Sequence, residues 1–204
     1  MPSELVAETD LMAEWALPSA VTLGSSVRAK GIERELRSDL AWTLRKHLTV
    51  EGGRVILRLP AHEGAAFAAI SAKVAGALPS LGELPILPRE LEDILAISSR
   101  ERHKWLKDGR LPSVGTRTVK LRGRTKAVTF HLFEPGRIEE ILNGDLPALW
   151  REDDAVTAAD NRRRAAAKAA MRRASKRNAA GRDVEPGEDA LEGWDEFVAD
   201  GLLR

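Results

Sequence analysis

The chain of 204 residues contains no cysteine and no tyrosine. The missing cysteine excludes disulfides and thiolate metal sites, which fits a reducing compartment. The missing tyrosine excludes the covalent mechanism of tyrosine recombinases and relaxases. The sequence also lacks a Gly-rich phosphate loop, a zincin helix motif and a Gly-x-Ser-x-Gly elbow. We therefore expect no enzyme activity, no catalytic residue and no cofactor.

Two further absences concern membranes and metals. No eighteen apolar residues run together, and the acidic N-terminal stretch lacks the basic start and apolar run of an export signal. The four histidines, at positions 47, 62, 103 and 131, are not spaced as metal ligands. We therefore expect a cytoplasmic protein without a membrane segment or a bound metal.

The charges of the chain are strongly segregated, although the formal net charge is only +1. Residues 98–126 hold ten bases and two acids, a local charge of +8. Residues 161–182 hold nine bases and no acid, whereas residues 183–200 hold eight acids and no base. Separate blocks of opposite sign indicate surfaces that meet charged partners.

The pattern over residues 20–78 is that of a small mixed domain with an apolar core. Apolar residues at near-helical spacing predict one helix within residues 28–48, with Trp42 among them. Alternation on both sides of Gly52-Gly53 predicts a β-hairpin, and the Ala-rich stretch 61–78 predicts a second helix.

The flanks of this domain are set by composition. Residues 1–19 are taken as an N-terminal arm, and the Pro- and Gly-rich stretch 79–86 as a linker. We expect the domain between them to serve packing or homodimer assembly. The alternative is a second DNA contact through Arg28, Lys30 and Arg34.

Residues 87–150 have the pattern of helix, tight turn, helix, basic hairpin and helix. Ser98 and Glu101 have the spacing of a capping box, which predicts that the second helix begins there. Trp105 gives that helix a buried face, and Asp108-Gly109 ends it. Apolar alternation flanks the basic "RGRTK", and "EPGRIEEIL" begins with a proline suited to a helix start. This order of elements is that of a winged helix-turn-helix.

Three short stretches carry a family resemblance. "WLKDGRLP" at 105–112, "LAIS" at 95–98 and "FEPGRIEEIL" at 133–142 resemble the MerR-like and phage-excisionase-like winged helix domains. The resemblance covers about residues 87–142. It implies the same fold there and binding to double-stranded DNA.

Three positions depart from that family's pattern. Glu92 stands where the first helix usually has a small alanine, and Ala96 where the turn usually has glycine. Arg102 occupies a position of the second helix that is usually apolar, where its aliphatic stem can lie over the core.

A winged helix-turn-helix predicts a role for each block of positive charge. The second helix would enter the major groove, where Arg and Lys donate to guanine and Ser contacts several bases. We predict base reading by Ser99, Arg100, His103 and Lys104. The wing would contact phosphates or a minor groove, which adds affinity but little sequence information. We predict these backbone or wing contacts: Lys107, Arg110, Arg117, Lys120, Arg122, Arg124 and Lys126.

Residues 151–182 are rich in Ala and Arg and predict an exposed basic helix. It would add nucleic-acid contacts or act only as a spacer. The predicted extra contacts are Arg162, Arg163, Arg164, Lys168, Arg172 and Arg173.

Residues 183–204 mix acids with apolar residues, a composition typical of peptides that fold into a partner's groove. We predict a protein partner for this tail; the alternative is docking on the chain's own basic surface. The predicted contact residues are Leu191, Trp194, Phe197, Val198 and Leu202.

The sequence thus predicts an α+β, mostly helical protein with a winged helix-turn-helix between a helix and hairpin domain and a basic, then acidic tail. The predicted function is sequence-specific binding of double-stranded DNA at the nucleoid, as a transcription regulator. One alternative is an architectural factor of a phage or mobile element, for excision, packaging or replication. An alternative of another class is a protein adaptor that binds no DNA.

Overall fold

The computed structural model describes residues 10–120 and 127–180. Among these residues the protein is α+β and mostly helical, with seven α-helices and five β-strands, as predicted at this level. The chain divides into two compact units, Met1–Ala148 and Leu149–Arg204.

The first half of the first unit is built around a three-stranded antiparallel sheet of β1 (Leu11–Ala16), β2 (Leu48–Glu51) and β3 (Arg54–Leu59), in the order β1-β3-β2. The two central glycines of the β2–β3 turn, Gly52 and Gly53, have φ of 56° and 73°, which glycine adopts without strain. The α-helices of this half are α1 (Ser19–Thr22), α2 (Ser26–Ser38) and α3 (Gly64–Ala77).

The hydrophobic core of this half lies where the sheet meets α2 and α3. Its buried members are spaced by four residues in α2 and α3 and by two in β3, as amphipathic elements require. They are Leu17, Ile32, Leu36, Leu40, Leu48, Val55, Leu57, Leu59, Ile70, Val74 and Leu81.

Two sequence-based expectations for this half need revision. The predicted single helix within residues 28–48 is wrong, because α2 ends at Ser38 and the chain turns before a short 3-10 helix at Arg45–His47. The turn sends Leu40 into the core and leaves Trp42 outside it. In addition, β1 lies within the stretch predicted as an arm, where the alternation of Leu11, Ala13 and Trp15 is a strand signal.

The stretch Ala61–Glu83 has a mean hydropathy of 1.3 and is, by length and composition, the one described helical stretch that could cross a membrane. In the folded unit it supplies Ile70, Val74 and Leu81 to the core beside the sheet.

The second half of the first unit follows without a break in packing. Ile86 pairs with Phe133 through two backbone hydrogen bonds of 2.8 and 3.1 Å, so the end of the predicted linker 79–86 is tied to the last strand. The elements are α4 (Pro88–Ile94), α5 (Ser99–Lys107), β4 (Gly115–Lys120), β5 (Ala127–Leu132), α6 (Pro135–Asn143) and α7 (Leu146–Ala180), the last reaching into the second unit.

Buried apolar side chains from α4, α5 and α6 and from the segments that connect them stabilise the second half. Burying a large side chain contributes about 1.5–3 kcal/mol, so this set is sufficient to fix the positions of α4, α5 and α6. The members are Ile86, Leu91, Ile94, Leu95, Ile97, Trp105, Leu111, Phe133, Ile138 and Ile141.

Candidate nucleic-acid interface

Both ends of α5 are fixed by local interactions. At its start, Ser98 Oγ accepts a hydrogen bond from the Glu101 amide at 3.2 Å, and Glu101 Oε2 accepts one from the Ser98 amide at 2.7 Å. This reciprocal capping box satisfies amides that have no partner inside the helix. At its end, Gly109 has a φ of 82° and the Leu111 amide donates to the Trp105 carbonyl at 3.0 Å. The helix predicted from Ser98 onward is therefore well defined at both termini.

The face of α5 opposite the buried Trp105 is exposed and basic. Arg100, His103 and Lys107 lie at i, i+3 and i+7, so they form one stripe along that face. Ser99 and Lys104 are also exposed and flank the stripe. The four residues predicted to read bases thus lie on one accessible surface, and Lys107, which was predicted to contact the backbone, ends the stripe one turn after His103.

One polar residue of the stripe is held by its own helix. His103 Nδ1 lies 2.6 Å from the Ser99 carbonyl oxygen, one turn earlier. This contact orients the imidazole ring and leaves its other edge toward Arg102, whose Nη2 lies 3.4 Å from His103 Nε2.

A salt bridge between α4 and α5 joins two of the residues that depart from the family pattern. Arg102 Nε donates to Glu92 Oε1 at 2.8 Å, and the two side chains are 11% and 21% exposed, respectively. Burial alone would raise the pKa of Glu92, but hydrogen bonds from Arg102 and Ser99 and the charges of Arg102 and His103 outweigh it, so the pKa is lowered. The third departure, Ala96, lies in the turn between them with a left-handed φ of 48°.

The hairpin after α5 is formed by β4 and β5 in regular antiparallel register. Side chains alternate across a strand, so Arg117 and Lys120 project from opposite faces of the hairpin. Arg117 lines a hollow of about 220 Å³ together with Arg28 and Glu90. Lys120 shares its face with Thr118, whose hydroxyl lies 2.7 Å from that of Thr129. The two predicted wing cations therefore cannot contact the same flat surface.

Arg110, predicted as a backbone contact, is held by the chain itself. Its Nε donates to both carboxylate oxygens of Asp108 at 3.1 Å, and its guanidinium lies 5.8 Å from the centroid of the Trp105 ring. These contacts stabilise the exit from α5. Arg110 is thus an unsuitable candidate for a DNA contact unless these interactions are exchanged for phosphate.

The first half of the unit is joined to α4 by a buried polar cluster. Arg28 of α2 is 1% exposed, and its Nη1 lies 3.4 Å from Glu90 Oε2. Its other nitrogens donate to the carbonyls of Leu84 at 2.9 Å and Val21 at 2.6 Å. The alternative prediction that Arg28 contacts DNA is therefore wrong, because its charge is used inside the protein.

Two further contacts complete this cluster. Ser25 Oγ donates to Asp93 Oδ2 at 2.6 Å, and Gly31 leaves no room for a side chain, since a Cβ there would lie 2.0 Å from Glu90 Oε1. Burial lowers the pKa of Arg28 and raises that of Glu90, which shows that desolvation exceeds their mutual attraction.

In the second unit, α7 continues to Ala180, and the described side chains of its basic stretch are all exposed. At about 1.5 Å per residue, the cations from Arg162 to Arg177 extend over about 22 Å of helix. Within the described part of α7, Asp160 lies 3.7 Å from Arg163, and no acid follows it up to Ala180. The predicted extra contacts in this stretch therefore form an accessible array.

Several predicted residues lie outside the described part of the chain. They are the wing-tip cations Arg122, Arg124 and Lys126 and the tail residues Leu191, Trp194, Phe197, Val198 and Leu202. Within the described residues no cluster of His, Cys, Asp or Glu could hold a metal ion.

A scan of protein-family models, a search of curated proteins and a search of solved structures each return no match to this chain. The function is therefore inferred from the geometry and charge of the chain itself.

Proposed function

We propose that residues 87–142 form a winged helix-turn-helix that binds specific double-stranded DNA and that the protein acts as a transcription regulator. The observation that carries this proposal is the exposed stripe of Arg100, His103 and Lys107 on a short helix whose opposite face and both ends are fixed. The major groove accepts one α-helix, and a rigid helix with cations on its outer face is suited to it.

The pairing state of the cations supports this proposal. Arg102 and Arg110 are used by the acids Glu92 and Asp108. Arg100, Lys107, Arg117 and Lys120, in contrast, form no salt bridge among the residues that the structure describes. The cations that remain available are thus those on the outer face of α5 and on the hairpin, where a phosphate backbone would balance them.

Each side chain receives a separate role in this proposal. Arg100, near the start of α5, donates to the O6 and N7 acceptors of a guanine, and Ser99, His103 and Lys104 contact neighbouring base edges. Lys107 and Lys120 contact phosphates and set the register. The resemblance of residues 87–142 to MerR-like and excisionase-like domains supports the same assignment of helix and wing.

The first test is DNA selection followed by footprinting with the full chain. We expect one preferred duplex sequence that is bound over random DNA at about 150 mM salt. For six to ten phosphate contacts, affinity would fall roughly 10³- to 10⁵-fold between 50 and 200 mM salt. Absence of any sequence preference would support the adaptor instead, and clustered adjacent sites with strong bending would support the architectural factor.

The second test separates base reading from backbone binding. Arg100→Ala should cost about 1–3 kcal/mol on the selected site and relax the choice of one base pair. Lys120→Ala should weaken selected and random DNA alike and reduce the salt slope by about 1. Arg58, an exposed cation of β3, serves as the matched control. Equal losses on both DNAs for Arg100→Ala and Lys120→Ala would refute this division of roles.

A further inference from the structure

A second basic surface lies in the first half of the unit, away from α5 and the hairpin. It consists of Arg34 and Arg37 of α2 and of Trp42, Thr43, Arg45 and Lys46 after it, and we call it the Trp42 surface. These six residues line an open depression of about 570 Å³. Among the residues that the structure describes, no acidic residue lines it, so the charge of this lining is positive.

Trp42 is the most exposed large hydrophobic side chain among the described residues, at 82%. A tryptophan ring buries 150–250 Å² when it finds a partner, so an exposed ring forgoes a large contribution to stability. The loop could have placed this ring inward, since Leu40, two residues earlier, is buried. The exposed ring is therefore available for contact with another molecule.

The loop that carries Trp42 is held in place by Arg45. Arg45 Nε donates to the Leu40 carbonyl at 3.0 Å, and its Nη2 donates to the Ser38 carbonyl at 3.1 Å. Arg37 forms a salt bridge with Glu33 and donates to the Leu48 carbonyl at 2.8 Å. The ring is thus presented by a preorganised loop, which lowers the entropic cost of binding.

The composition of the surface selects its partner. A helical peptide would need several apolar contacts at helical spacing, but Trp42 is the one large apolar side chain lining the depression. A flat ring beside Arg34 and Lys46 instead matches a molecule that has both flat aromatic rings and negative charge. Unpaired nucleotides have both, because an unstacked base can lie on tryptophan while its phosphates meet the cations.

We propose that the Trp42 surface binds an unpaired stretch of nucleic acid, with one base stacked on Trp42 and adjacent phosphates at Arg34 and Lys46. This contact goes beyond duplex recognition, because the bases of a duplex are stacked on each other and cannot cover the ring. A protein with both surfaces would engage DNA where a duplex adjoins an opened strand.

The test uses the full chain and an oligothymidylate of about 16 nucleotides, within the range of single-strand site sizes. Binding is followed by fluorescence anisotropy of the labelled oligonucleotide. Trp42→Ala should weaken binding about 10-fold or more, whereas Trp42→Phe should retain most of it, since base stacking on an aromatic ring is sequence-tolerant. Lys46→Ala should weaken binding and reduce its salt dependence. Arg58→Ala, outside the surface, should leave binding unchanged.

The outcome is distinguishable from that of the duplex test. Trp42→Ala should keep its thermal stability and its affinity for the selected duplex, because the ring lies outside the core. Arg100→Ala should keep its affinity for the oligothymidylate. If Arg100→Ala left duplex binding intact, the proposed function would fail while the Trp42 surface stood.

Three results would overturn the inference. The first is oligothymidylate binding by Trp42→Ala that equals that of the wild type. The second is a Trp42-dependent dimer in sedimentation, which would assign the ring to a second copy of the chain. The third is Trp42-dependent binding of a poly-glutamate peptide as tight as that of the oligonucleotide, which would assign the surface to acidic proteins.

Discussion

Two glutamates of α4, two residues apart, form ion pairs in opposite directions. Glu90 meets Arg28 of α2 at 3.4 Å with both side chains almost fully buried. Glu92 meets Arg102 of α5 at 2.8 Å with both partly accessible to solvent. The pKa of Glu90 is raised by burial, whereas that of Glu92 is lowered because hydrogen bonds and nearby charges outweigh burial.

The contrast shows that burial and geometry decide what an ion pair contributes. The inner pair gives up water at both partners and closes only a long hydrogen bond, so desolvation dominates. The outer pair keeps some water and makes a short, charge-assisted bond. The inner pair therefore joins α2 to α4 without net electrostatic gain, whereas the outer pair contributes net attraction between α4 and α5.

Together the two pairs connect the first half of the unit to the proposed reading helix. Arg28 fixes α4 relative to α2, and Arg102 fixes α5 relative to α4. The orientation of the exposed stripe on α5 thus depends on residues that never face solvent fully. Substitutions in either pair should therefore affect the free energy of unfolding more directly than they affect the exposed side chains of the proposed DNA surface.

The largest effect is expected from breaking the inner pair. Arg28→Ala should lower the free energy of unfolding by about 3–5 kcal/mol in urea denaturation, because Glu90 is left buried and unpaired. The carbonyls of Leu84 and Val21 also lose their donor. The double variant Arg28→Ala/Glu90→Ala should recover part of the loss. A loss below about 1 kcal/mol would mean that solvent reaches Glu90 easily.

A steric change at the same place gives the next largest effect. Alanine normally favours a helix over glycine by about 1 kcal/mol. Gly31→Ala should nevertheless destabilise the protein by about 1–3 kcal/mol, because its Cβ would displace the Glu90 carboxylate from its partners. In a Glu90→Ala background the same substitution should become stabilising. A stabilising effect in the wild type would contradict the close packing of α2 on α4.

The two glutamates should make stability depend on pH in opposite directions, because their pKa values are shifted in opposite directions. The lowered pKa of Glu92 gives stability that is present above its unfolded pKa near 4.5 and is lost as pH falls through its folded pKa. Glu92→Gln should therefore be less stable than wild type by about 1 kcal/mol at pH 7, and the gap should close below pH 4.5.

The raised pKa of Glu90 acts in the opposite direction. Its contribution is complete below pH 4.5 and is lost as pH rises through the folded pKa. The wild type should therefore lose stability relative to Glu90→Gln as pH rises above 4.5, in urea titrations from pH 4 to 7. Parallel profiles for the two Gln variants would refute the contrast between the pairs.

Much of this arrangement follows from local sequence signals, but the pairs do not. The capping box at Ser98 and Glu101, the glycine turn at Gly52-Gly53 and the burial of Trp105 depend on near neighbours, and the structure has all three. Arg28 and Glu90 are 62 residues apart, so no local pattern links them. The exposure of Trp42 was missed because helical periodicity continues past the true end of α2 at Ser38.

The outer pair had a signal in the sequence that spacing alone does not use. Glu92 and Arg102 each depart from the family pattern, and each would be unfavourable alone at the contact between two helices. Their opposite charges make the two departures compensate each other.

The smallest expected effect concerns the turn between the helices that the outer pair joins. Ala96 is exposed with a φ of 48°, which costs an L-residue about 1–2 kcal/mol, whereas glycine tolerates it. Part of that relief is offset, because glycine gives the unfolded chain more conformational entropy, which costs about 0.5–1 kcal/mol of stability. Ala96→Gly should therefore stabilise the protein by about 0.5–1 kcal/mol net. If the outer pair holds α5 independently of the turn, this gain should be equal in wild-type and Glu92→Ala backgrounds, as measured by a double-mutant cycle in urea. A gain that disappears with Glu92 would mean that the salt bridge itself imposes the left-handed turn, because Ala96 would then adopt an unstrained conformation once the carboxylate is removed.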